Sequence, residues 1–246
     1  MNRFRADPPP GTAARLTALE AVYALYDRFV AGLTLFCRRG CAHCCTTGVT
    51  LTSLEARYLL AAVPQAQRDA LQARAAARAD TAAPCTPLTT NALARLCAEG
   101  RTVPEERVEP PSGRCALLTR NICPVYAARP FACRCLVSTQ DCGANGYASM
   151  DEFTLSLNTV FLQCIEHLDA GGVSGSLTTL LSRRERFPDR VPPAGAALPP
   201  GLAANSPLTV LMVPPEHRAA MAPWLERLRR ILIPGNPSGR DKTEKQ

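Results

Sequence analysis

The sequence is poor in aromatic residues, almost without lysine, and has no long uncharged apolar run. Aromatics make up only 5% of its 246 residues, while alanine and leucine recur throughout. That balance favours helices over sheet, because small and straight-chain residues lose little freedom in a helix. Lysine occurs only at Lys242 and Lys245, so the net charge of +7 is carried by arginines. These are spread along the chain rather than gathered in a stripe, and few aromatics interleave with them, which does not favour a nucleic-acid partner. There is no internal repeat, glycine-rich phosphate loop or zincin-type histidine pair. The most apolar N-terminal stretch, 16–36, is interrupted by Glu20, Asp27 and Arg28. A membrane span needs about twenty apolar residues nearly free of charge, so no membrane partner is expected. The opening MNRFRADPPPG has no apolar h-region, and a cytoplasmic protein with reduced thiols is the expectation; a disulfide framework in an exported protein is the alternative.

The chain is long enough to bury a real core without cysteine staples, and its 46% hydrophobic and 20% charged content is ordinary for a globular protein. Three Ser/Thr residues followed three positions later by Glu read as capping boxes: Thr17 with Glu20, Thr52 with Glu55, and Ser149 with Glu152. They place helices over about Leu16–Phe36, Ser53–Ala62 and Ser149–Ala170, the last closed by Gly171 and Gly172. Further helices are predicted over Gln65–Ala79 and Thr90–Glu99. Residues 101–123 read as irregular, and CPVYAARPFACRC as a short helical turn between loops. Eleven of the 22 prolines lie between Pro188 and Pro237, so a loosely packed extension is expected there. One helix, about Pro215–Leu232, interrupts it with Trp224, Leu228 and Ile231 on one face, and the polar last ten residues read as disordered. The predicted fold is mainly α: a small helical domain wrapped around a cysteine-rich, loop-built metal site, with a Pro-rich C-terminal extension. The corresponding segments are an N-terminal helix (1–36), a cysteine-cluster region (37–142), a helical packing segment (143–187) and the extension (188–246).

What is abundant is cysteine. Four fall within the run CRRGCAHCC, at Cys37, Cys41, Cys44 and Cys45, and a second group comprises Cys115, Cys123, Cys133, Cys135 and Cys142. Thiolates are soft anionic ligands, and Cys41-x-x-Cys44 has the spacing at which two sulfurs converge on one metal. A turn can bring Cys37 to the same centre. Cys45 is harder to place, because adjacent side chains diverge; bridging, a second site or a supporting position are its alternatives. The second group is spaced widely enough to be a long loop folding back onto a site nucleated by the first. Arg129 and Arg134 lie close by in sequence and would offset the negative charge of a thiolate-rich centre. His43 is a candidate nitrogen ligand or an exposed neighbour; His167 and His217 have no cysteine neighbours. Cys85, Cys97 and Cys164 read as small hydrophobes. Cys135 and Cys142 are intermediate between ligand and structural thiol.

The run CRRGCAHCC, followed by RCALLTRNICPVYAARPFACR, resembles the YkgJ-like cysteine-cluster family, also called the zinc- or iron-chelating CxxCxxCC domain. Cys41, Cys44 and Cys45, led by Cys37, match the first part of that pattern. Cys115, Cys123, Tyr126, Arg129, Pro130, Cys133 and Arg134 match the second. The likeness spans about residues 37–142, under half the chain. The leading spacing here is Cys-x-x-x-Cys rather than Cys-x-x-Cys, and the insert of about seventy residues between the groups carries extra cysteines.

The resemblance implies metal binding, with Cys37, Cys41, Cys44, Cys45, Cys115, Cys123 and Cys133 as ligands and Tyr126, Arg129 and Arg134 around them. The cysteine region is also similar to that of flagellin lysine methylases, which are associated with an iron–sulfur cluster and S-adenosylmethionine; no separate S-adenosylmethionine motif is present. Three functions are therefore in play. One is a cytoplasmic protein holding an iron–sulfur cluster (4Fe-4S) or zinc. The second is an S-adenosylmethionine-dependent protein methyltransferase, and the third a zinc-stapled module that contacts a protein partner. The thiolates outnumber the needs of one zinc, which favours the cluster; a binuclear zinc site would use the same excess.

Overall fold

In the computed structural model, residues 8–78, 88–104, 113–183 and 198–233 are described, and these form a mainly α structure carrying one small sheet. Helix α1, Thr12–Ala31, begins where Pro8–Pro10 give way to Gly11, whose φ of 80° only glycine adopts at little cost. It therefore starts four residues earlier than expected, and Ala13 and Ala14 extend it. Thr17 is in its second turn, with its hydroxyl donating to the Ala13 carbonyl at 3.2 Å, so the predicted Thr17–Glu20 box does not form. The helix also stops sooner, at Gly32, which leaves 33–36 as a non-helical lead into the first cysteines.

The second box does form. Thr52 accepts from the Glu55 amide at 3.2 Å and Glu55 accepts from the Thr52 amide at 2.8 Å, opening α2, Ser53–Ala61. Helices α3, Gln65–Ala76, and α4, Thr90–Ala98, lie close to their expected places. The segment CPVYAARPFACRC supplies a 3-10 turn, Tyr126–Ala128, and the single-turn helix α5, Phe131–Arg134; another single turn, α6, covers Cys142–Asn145. Helix α7, Glu152–Leu168, is capped not by Ser149 but by Asp151, whose carboxylate accepts from the Thr154 amide at 2.8 Å. A carboxylate at this position also complements the helix dipole, which explains the two-residue shift. Helices α8, Leu177–Ser182, and α9, Arg218–Leu232, complete the set.

The sheet was not expected. Its strands β1 (Thr50–Thr52), β2 (Val173–Ser176) and β3 (Leu202–Ala204) pair antiparallel in the order β1-β2-β3, with Leu51 opposite Gly175 and Gly175 opposite Leu202. Strands this short, built mostly from Thr, Ser, Gly and Ala, carry no alternating apolar signal. Gly175 is needed for close approach: a Cβ there would stand 2.6 Å from the Leu202 side chain and 3.0 Å from the Gly201 carbonyl.

The described part of the proline-rich extension, 198–233, departs from the loose packing expected of it. It supplies β3, buries Leu208, Met221, Leu228 and Leu232, and sets Trp224 edge-on to Phe29 at 5.4 Å. Gln163 of α7 anchors the connection, donating to the Val210 carbonyl at 2.8 Å and accepting from the Met212 amide at 2.9 Å. Prolines stiffen a strap without preventing its apolar residues from docking. The expectations for Cys85 and for the last ten residues lie outside the described residues.

Two apolar cores result. The first joins α1, α7 and α9 and contains Tyr26, Phe131 and Phe161, with Tyr26 edge-on to Phe131 at 4.7 Å and Phe131 stacked on Phe161 at 5.7 Å. The second gathers Leu51, Leu59, Leu71, Leu117, Val125 and Leu180, with Cys115, Cys123 and Cys133 packed against it. Helix α5 spans both, since Phe131 belongs to the first and Cys133 rests on the second. No helix among the described residues is long and apolar enough to cross a membrane.

Candidate metal centre

The two cysteine groups are joined through their backbones. The Cys115 amide donates to the Cys45 carbonyl at 2.9 Å, and Thr46 and Arg114 form an antiparallel bridge beside it. Within the first group, Cys41 N–H bonds to the Arg38 carbonyl, Cys45 N–H to Ala42 and Thr46 N–H to Cys44, a succession of tight turns. Cys37 is fixed from a third direction: its sulfur accepts from the Ser138 amide at 3.2 Å, while Phe36 N–H bonds to the Ser138 carbonyl.

These connections bring Cys37, Cys41, Cys44, Cys45, Cys115, Cys123 and Cys133 onto the wall of one cavity of about 170 Å³. Tyr126, Arg129 and Arg134 line it too, so all ten residues singled out from the sequence meet there. The rest of the wall is largely apolar, including Val49, Leu117, Val125, Val137 and Leu177. Cys135 and Cys142 are not on that wall. Cys135 packs against the first core and points its thiol to the Ala132 carbonyl, and Cys142 opens α6. His43 is exposed and belongs to a neighbouring bowl. Cys164 is buried in the first core, as a small hydrophobe would be, and Cys97 is exposed. The eleven cysteines among the described residues are free thiols.

Cys44 and Cys45 do not diverge into separate sites. The Cys44 thiol donates to the Cys45 sulfur, which pushes the Cys44 pKa well up and draws that of Cys45 down. Burial raises Cys133, and its neighbours Cys115, Cys123 and Cys44 raise it further. Burial likewise raises Cys123 and Cys37, and pushes the Cys135 thiol up to about 12. Each of these thiols sits in a weakly polar setting, where a second thiolate on the same wall disfavours its ionisation further.

The two arginines differ in role. Arg129 lies 4.0 Å over the Tyr126 ring, and its charge lowers the pKa of both Cys44 and Cys123. Arg134 is 5% exposed and its guanidinium is committed elsewhere. It donates to both Asp27 carboxylate oxygens at 2.9 and 3.0 Å, to the Arg129 and Ala127 carbonyls, and stacks 4.3 Å over the Tyr23 ring. It braces the loop against α1 rather than offsetting sulfur charge.

Sequence reading overlooked three supporting residues. Glu55, seen only as half of a capping box, is buried and also accepts from Tyr23 Oη at 2.8 Å and from the Phe131 amide at 2.7 Å, so it holds α5 in place. Asp27 registered only as a charge in an apolar stretch. Ser138 is wholly buried and organises the 138–149 turn, accepting from the Gln140 and Ser149 amides; no local signal marks it.

The donor set fits a soft metal or cluster. Seven sulfurs exceed the four that a tetrahedral zinc or a cubane takes, and the cavity volume is close to the ~150 Å³ that holds a benzene-sized guest. Among the described residues, no three His, Cys, Asp or Glu side chains form a ready metal-holding group. Comparison with known proteins gives no match, whether to a family model, a curated protein or a solved structure.

Proposed function

We propose that this chain is a cytoplasmic cysteine-cluster protein that holds an iron–sulfur centre in the cavity between α5 and the 37–45 loop. The observation that carries the reading is the meeting of seven cysteines from two distant groups on one wall, with Arg129 beside them. The candidate ligands are Cys37, Cys41, Cys44, Cys45, Cys115, Cys123 and Cys133. Such a centre, when bound, supplies one-electron chemistry or an iron open to a substrate. The residues of the chain do the rest. The apolar wall excludes water and lowers the local dielectric, which favours a weakly solvated cluster. Arg129 offsets thiolate charge next to Cys44 and Cys123. Glu55 and Arg134 hold the second cysteine group against α1 and α2. The resemblance to the zinc- or iron-chelating CxxCxxCC domain points the same way and leaves zinc as the competing metal.

The test is anaerobic purification followed by iron, zinc and acid-labile sulfide analysis of one sample. About four irons and four sulfides per chain are expected, with loss of both in Cys44→Ser and retention in Cys97→Ser. One or two zincs without sulfide would replace the cluster reading with a structural zinc centre that contacts a protein partner.

A further inference from the structure

Beside the sulfur cavity lies a second, larger and more polar one. It has a volume of about 610 Å³, and Arg38, Cys41 and Cys45 are shared between the two walls. Its cations are Arg38, Arg39 and Arg114, with His43 at the side; among the described residues Asp141 is the one acid on its wall. That carboxylate is engaged in opening α6, where it accepts from the Gly143 amide at 2.8 Å. Arg38 is exposed and lies over the Phe36 ring at 5.4 Å, while Arg39 projects with no ion pair among the described residues. Arg114 is held at the rim, donating to Asn121 Oδ1.

The turn that makes this rim is strained. Arg120 and Asn121 both adopt positive φ, 48° and 64°, between the paired residues Thr119 and Ile122. Side-chain-bearing residues in this region carry a backbone cost, and such outliers persist where the surroundings hold them. Here the turn separates the bowl from an adjoining one of about 470 Å³, to which Arg74, Arg78, Arg114 and Arg120 contribute.

We infer that the bowl of Arg38, Arg39 and Arg114 is a binding site for a small molecule bearing a phosphate or carboxylate, held against the Cys41–Cys45 wall. The argument has three parts. The volume is that of a small-molecule pocket rather than of a groove for an extended chain. Guanidinium forks match the planar or tetrahedral oxygens of carboxylate and phosphate. Among the described residues, an arginine excess with one engaged acid gives a local positive potential that a bound anion neutralises. The inference stands whichever metal the sulfur cavity takes, because none of these groups is a proposed ligand except the shared Cys41 and Cys45.

The experiment is isothermal titration of the as-purified protein with inorganic phosphate and, separately, with succinate, at about 0.15 M ionic strength, where diffuse charge is screened beyond roughly 8 Å. Saturable one-site binding of at least one is expected, and the one that binds assigns the oxyanion class. Arg39→Ala should weaken it about tenfold, the effect of losing one charge-assisted contact. Arg229→Ala, which removes the same charge from an exposed position on α9, should leave it unchanged. Absence of saturable binding by both anions, or equal weakening in the two variants, overturns the site.

Discussion

Replacing Arg134 with alanine should destabilise the metal-free fold by about 3 kcal/mol while leaving thiol chemistry in the cavity little changed. The magnitude follows from what the guanidinium holds. Its two bonds to Asp27 contribute less than a fully buried pair, because that carboxylate is half exposed and rehydrates when released. The Ala127 and Arg129 carbonyls lose a charged donor, at about 1 kcal/mol or more each, and Tyr23 loses a stacked cation. Arg134→Lys should recover part of the loss, since an ammonium keeps the charge but not the fork. Arg129→Gln should show the opposite pattern. Stability should change by under about 1 kcal/mol, but Cys44 and Cys123 lose the cation that lowers their pKa and should alkylate more slowly at pH 8. Urea denaturation and mass-spectrometric thiol labelling of the three variants read both quantities. If Arg134→Ala costs under about 1 kcal/mol, or slows labelling as much as Arg129→Gln does, the division between brace and charge partner is wrong.

Glu55→Ala should destabilise by about 3 kcal/mol in the same denaturation assay, because it strips acceptors from Tyr23, Thr52 and the Phe131 amide at once. Phe131→Ala should cost about 3–5 kcal/mol and lower metal content per chain, since the ring anchors the helix that carries Cys133. In the metal-free protein Cys45 should alkylate first among the cavity thiols, and Cys44 and Cys133 last, as read by a timed iodoacetamide series. For stability against pH, the folded-state pKa values of Cys37, Cys44, Cys123 and Cys133 lie above the unfolded value of 9.0, so the folded state binds more protons in between. Their contribution is intact below pH 9 and declines as pH rises beyond it; a denaturation midpoint that climbs from pH 8 to pH 10.5 contradicts this.

Much of the site could be read from the sequence because its signals are local. A thiol or guanidinium announces itself by residue type, and order along the chain was enough to gather ten residues that meet on one cavity. What each does there depends on contacts far away in sequence. Arg129 and Arg134 look equivalent in the sequence, yet only the second finds Asp27, one hundred and seven positions earlier. Helices were legible where caps were strong, as at Thr52, and misplaced where a better cap stood nearby, as with Asp151 beyond Ser149. The sheet was invisible because its three strands are held by register across long separations rather than by pattern. Proline content misrepresented the segment after 198, whose few apolar residues suffice to dock it.

The hydrogen bond from Cys115 to the Cys45 carbonyl closes a large loop, and this has a consequence during synthesis. The first four cysteines leave the ribosome 88 residues ahead of Cys133. At translation rates of about 5–20 residues per second, they wait roughly 4–18 s for the remaining wall of their cavity. For that interval the nascent chain presents four adjacent thiols with no enclosure, open to oxidation or to whichever thiophilic ion arrives first. Under the proposed iron–sulfur function, faithful loading then depends on the order of events at the ribosome as much as on the affinity of the finished site.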